Sequence, residues 1–105
     1  MIVQKRFVEE NGHRGTGPVV LCDHCHKPIE HATEGNVEWN EIVEDGAVQQ
    51  PFFTHKWCCL AFEDENGGRG AWLSTELSAW IVYLMNNTNL DLPRARDIAD
   101  TLYSI

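Results

Sequence analysis

The chain has 105 residues, the length of one domain, and its 43% hydrophobic content with four Trp and four Phe is too apolar and aromatic for a disordered segment. The formal charge is −8, and both parts of the chain carry it: residues 1–60 hold nine acidic and five basic side chains, residues 61–105 seven and three. A surface without a basic stripe disfavours nucleic acid and anionic membrane as partners, and points to a protein partner.

Residues 1–20 interleave Lys5, Arg6, Glu9, Glu10 and Arg14 with short apolar pieces and lack a signal-peptide core, so the expected location is the cytoplasm. Ile2 to Val8 reads as a short strand, Asn11 to Gly17 as a loop, and Pro18 to Leu21 as an extended lead into Cys22. From Asn36 to Glu44 the pattern is again strand-like, with Val37 and Trp39 on one face. Asp45-Gly46 signals a tight hairpin, and the return strand Ala47 to Thr54 is interrupted by Pro51, which suits an edge or a bulge. A helix is expected from Thr54 or His55 to Asn66, with Thr54 as its cap and Gly67-Gly68 as its stop.

A second helix is expected from Ser74 to about Met85. Leu77, Trp80, Ile81, Leu84 and Met85 recur on one helical face, while Trp80 to Met85, the longest apolar run, is too short to span a bilayer. Asn86 to Asn89 breaks this helix, and Pro93 opens a third with Ala95, Ile98, Leu102 and Ile105 on one side. The fold expected is α+β in one domain over 1–105: a zinc module over 18–66 and, over 72–105, a helical hairpin packed on it.

The chemistry concentrates in four residues. Cys22-x2-Cys25 is followed after 29 residues by His55-x2-Cys58. Three thiolates and one imidazole are a standard tetrahedral donor set for structural zinc. Two intervening residues let the first pair converge through a tight turn. On a helix, residues three apart share a face, which brings His55 to Cys58. The predicted ligands of one structural Zn2+ are therefore Cys22, Cys25, His55 and Cys58. Cys59 competes with Cys58, since it also shares a helical face with His55. His24, His26 and His31 are read as solvent-facing or as supporting hydrogen-bond donors, and His13 as a loop residue outside the site.

The knuckle Cys22-Asp23-His24-Cys25, the hairpin, and Phe53-Thr54-His55-Lys56-Trp57-Cys58 at a helix start resemble the treble-clef zinc finger, in particular the first zinc module of LIM domains. The resemblance covers residues 18–66 and implies the single-site geometry. A LIM domain carries a second zinc site directly afterwards, and this chain has no cysteine beyond Cys59.

Four protein donors close the coordination sphere, so no catalytic zinc and no enzyme activity are expected. A redox Cys-x2-Cys is the competing use of the first pair, but the thioredoxin-like setting it requires is missing. The expected function is a zinc-stabilised protein-interaction or regulatory module. One alternative is a helix-turn-helix DNA reader using Arg94 and Arg96, and a more remote one is a treble-clef nuclease-type enzyme.

Overall fold

The structure is a computed structural model describing residues 1–12, 14–40 and 44–103, with side chains as far as Thr101. The first two strands, β1 (Ile2–Val8) and β2 (Arg14–Val20), pair antiparallel from Ile2 opposite Val20 to Val8 opposite Arg14. The loop expected over Asn11 to Gly17 is therefore shorter. Gly15, Thr16 and Gly17 continue the ladder because their partners on β1 are already extended. His13 lies outside the described residues.

A second sheet holds the core. Its central strand, β3 (Gly35–Asn40), pairs antiparallel with β4 (Phe52–His55) on one edge and with β5 (Trp72–Glu76) on the other. Pleating sends alternate side chains to opposite faces. On one face Val37 and Phe53 are buried with Ile29, Leu77 and Cys22, and Trp80 meets Phe53 edge-on at 5.3 Å. Burying side chains of this size is worth roughly 1.5–3 kcal/mol each. On the other face Phe52, Phe62 and Trp72 form an aromatic cluster with centroids 5.1–5.6 Å apart. Glu38, Thr54 and Glu63 are also buried.

The hairpin between the two Cys/His pairs is present, in a looser form than Asp45-Gly46 suggests. A turn does form there, with Gly46 at φ +81° and the Ala47 amide donating to the Glu44 carbonyl at 3.1 Å. Pairing, however, begins only at Glu38 opposite Phe52. Beyond that point the Asn40 amide donates to the Gln49 side chain instead of a strand partner, and Pro51 has no amide to offer. The part of the expected strand at residues 41–43 lies outside the described residues.

Two helix starts differ from expectation. Thr54 and His55 remain in β4, a single 3-10 turn follows at Lys56–Cys58, and α1 runs Cys59–Glu65. Thr54 is no cap, because its backbone pairs with Asn36 and its hydroxyl donates to Glu38. Gly67 and Gly68 do stop α1, both at positive φ. Ser74 lies opposite Glu38 in the sheet, and α2 begins only at Leu77 and runs to Asn87. Strand pairing along β3 wins over helix capping at both places.

The helix α3 (Leu92–Tyr103) opens at Asp91, whose carboxylate accepts the Arg94 amide at 3.1 Å, with Pro93 in its first turn. Only the start of α2 enters the core. Leu77 is 3% exposed, whereas Ile81, Leu84 and Ile98 are at least 40% exposed. Of the two C-terminal helices only α2 docks, through Leu77 and Trp80, and α3 adds no buried residue among those described, so the expected helical hairpin packed on the module is met only by the start of α2. The side chain of Leu102 and all of Ile105 lie outside the described residues.

Candidate metal centre

The Cys22–Cys25 segment is a knuckle. The Cys22 amide donates to the Lys27 carbonyl at 2.9 Å, and the His26 amide to the Cys22 carbonyl at 2.9 Å. His26 supplies the left-handed residue that closes the turn, at φ +64°, a position where glycine is the less strained choice. Asp23 ties the knuckle to β4 with two bonds: its amide donates to the Phe53 carbonyl at 2.6 Å, and its carboxylate accepts the Phe53 amide at 2.8 Å. That clamp sets both cysteines beside the end of β4.

There the donor atoms of Cys22, Cys25, His55 and Cys58 all lie within 4.8 Å of one another, forming a Cys3His group that can hold a metal ion. His55 ends a strand rather than opening a helix, yet its spacing to Cys58 still works. Residues three apart eclipse across a 3-10 turn, as they nearly do on an α-helix. The imidazole is oriented at both nitrogens. Nε2 lies 3.1 Å from the Pro28 carbonyl, which can only accept, so Nε2 carries the proton and Nδ1 is left as a lone-pair donor. Nδ1 lies 3.3 Å from Cys25 Sγ, inside the group. Trp57, itself largely exposed, stacks on the His55 ring at 4.5 Å and 17° and covers its outer face.

The Cys22 sulfur is prepared for negative charge. It is fully buried and accepts three backbone amides, from His24 and His55 at 3.4 Å and Cys25 at 3.5 Å. Burial pushes its thiol up, but the hydrogen bonds it accepts, those of the Cys25, His55 and His24 amides first, outweigh burial and bring it down to about 6. Cys58 is pushed up to about 12, by burial first and then by the negative charge and hydrogen bonding of Cys22 and Cys25. A cation held at the centre would let these sulfurs coexist as thiolates.

Cys59 is not part of this group. Its sulfur turns to the other face of the sheet, 3.0 Å from Glu38 Oε1 and 3.2 Å from Glu63 Oε2. These three residues form a second compact group, also with donor atoms within 4.8 Å of one another. Sequence reading weighed Cys59 only against Cys58 and missed this cluster. The one available signal was a charged residue, Glu38, between the apolar Val37 and Trp39 of a core strand.

The other described histidines stay outside both groups. His24 Nδ1 is buried and lies 3.3 Å from a Glu65 carboxylate oxygen without hydrogen-bond alignment. His26 and His31 are exposed. Glu63, in the acidic run Glu63-Asp64-Glu65 at the helix end, is 8% exposed, whereas Asp64 faces solvent and pairs with Arg69. Among the described residues no helix is long and apolar enough to cross a membrane.

Compared with protein-family models, with curated proteins and with solved structures, the chain shows no match.

Proposed function

We propose that this chain is a structural zinc protein, in which Cys22, Cys25, His55 and Cys58 hold one Zn2+ that fixes the knuckle to the β4–α1 corner. The observation carrying this is the convergence of three sulfurs and an oriented imidazole Nδ1 within 4.8 Å. Zinc fits the donor set because it accepts thiolate and imidazole tetrahedrally without redox change, whereas calcium and magnesium take oxygen. The order of knuckle, hairpin and helix supports a treble-clef reading. Strand β5 and the N-terminal hairpin β1–β2 lie outside that element order.

With four protein donors the ion has no open position, so its role is to order the fold. The working surface is then what the metal presents. The surplus of acidic residues argues for a protein partner over nucleic acid, in a regulatory or scaffolding role within the cytoplasm. Metal analysis of the purified chain, followed by chelation under reducing conditions, tests the reading. One zinc per Cys3His group and cooperative loss of structure on chelation are expected. Metal-free protein that keeps its fold would overturn it.

A further inference from the structure

The Glu38–Cys59–Glu63 cluster is a buried site with too few protons. Glu38 is fully buried in the central strand and Glu63 is 8% exposed on α1. Among the described residues neither carboxylate takes part in an ion pair, and Arg69, the nearest guanidinium in sequence to Glu63, pairs with Asp64. Thr54 donates to Glu38 Oε2 at 3.2 Å. The Cys59 thiol faces both Glu38 Oε1 and Glu63 Oε2, and the Asn36 side chain borders its sulfur.

A thiol carries one hydrogen and can satisfy only one of them. When that proton points to Glu38, the Glu63 carboxylate, more than nine-tenths buried, faces a second buried carboxylate, and a shared proton or a cation is what relieves the pair. A buried carboxylate left in this state is expensive. Something positive belongs there.

We propose that Glu38, Cys59 and Glu63 form a second cation site, on the opposite face of β4 from the Cys3His group, for a borderline divalent ion of the zinc class. The three donor atoms already lie within 4.8 Å of one another, which needs no rearrangement of the strand or helix to close on an ion. Binding displaces the thiol proton, and any proton held on the raised Glu38 carboxyl, to solvent, and leaves three anionic donors around a dication (−1). One sulfur with two oxygens selects zinc, cobalt or cadmium over calcium and magnesium, which favour all-oxygen shells. Three protein donors leave a tetrahedral ion one further position, unlike the closed Cys3His group. Successive residues thereby serve different ions: Cys58 one, Cys59 the other.

The test is a metal count on the full chain, saturated with zinc, desalted, and analysed by native and elemental mass spectrometry. Wild type is expected to hold two ions, and Glu63→Gln one. Cys25→Ser is expected to lose both ions, because residues 18–66, which carry Glu38, Cys59 and Glu63, depend on the Cys3His ion for their fold. A single ion that Cys25→Ser loses and Glu63→Gln retains would overturn the proposal while leaving the structural zinc intact. A single ion with the reverse pattern would support the second site and remove the first. Cys59→Ser serves as the replacement variant if Glu63→Gln does not fold, because it removes the sulfur donor and alters no buried charge. Two ions retained in every cluster variant would also overturn it.

Discussion

The two clusters flanking β4 are built from similar residues on the same distance scale, and they meet negative charge in opposite ways. The Cys22 sulfur receives three backbone amides, which are fixed dipoles supplied by the knuckle and by the start of the 3-10 turn. Glu38 and Glu63 receive only side-chain donors, one hydroxyl and one thiol proton between them. The thiol of Cys22 is accordingly drawn down to about 6 despite its burial. Glu38 is raised, by burial first and also by the neighbouring Glu63. The difference shows that burial alone does not decide a group's charge. What decides it is whether the backbone has been arranged to pay for the ion.

The largest effect expected from this contrast comes from the Cys3His side. Chelation removes the ion, and Cys22→Ala removes it and also leaves three amides without an acceptor. Zinc binding in such sites contributes on the order of 10 kcal/mol, comparable to the whole stability of a small domain. At least residues 18–66 should then unfold at 25 °C, read as lost near-ultraviolet dichroism of the aromatic residues. Cys59→Ala should leave the fold cooperative, because its sulfur holds no backbone amide.

A smaller effect is expected at Gly35, which lies opposite His55 in the sheet. An added Cβ there would meet Ile29 Cγ2 at 2.9 Å and Leu77 at 3.1 and 3.2 Å, so β3 would have to shift away from both. Gly35→Ala should cost about 1–3 kcal/mol by overpacking and should weaken zinc retention, since His55 moves with its partner strand. Thermal melts with and without a competing chelator check both parts. Thr54→Val comes next. It keeps the buried shape but removes a donor to Glu38, and a loss of about 1 kcal/mol is expected in denaturant titration.

Much of this arrangement was legible in the sequence. The convergence of Cys22, Cys25, His55 and Cys58 followed from Cys-x2-Cys and His-x2-Cys, because short spacing constrains geometry almost independently of the secondary structure around it. That is why His55 still converges with Cys58 across a 3-10 turn after the expected helix start proved to be a strand end. The errors at Thr54 and Ser74 share one cause. Capping is a local signal, whereas the pairing of β3 with both β4 and β5 joins residues far apart in sequence and overrides it. The second cluster was illegible for a related reason. Glu38, Cys59 and Glu63 come from two elements whose contact follows only from the fold, and acidic residues near a helix end ordinarily face water, as Asp64 does.

The smallest net effect, and the one that separates the clusters most sharply, is expected for Glu38→Gln in protein carrying one zinc per chain. A carboxyl raised in the folded state holds its proton longer there than in the unfolded chain. Its contribution to stability is therefore full below the ordinary glutamate value of 4.5 and is lost as pH rises through the raised folded value. Glutamine cannot ionise, so the variant escapes this loss. The two proteins should melt at similar temperatures at the acid end of the range, and the variant should melt increasingly higher as pH rises, up to a plateau. Saturating zinc should shrink or reverse the variant's advantage, because an ion at Glu38, Cys59 and Glu63 stabilises only the chain that keeps all three donors. A variant advantage that is independent of pH would mean that Glu38 keeps the same charge throughout, and the contrast between a solvated thiolate and an unsolvated carboxylate would fail.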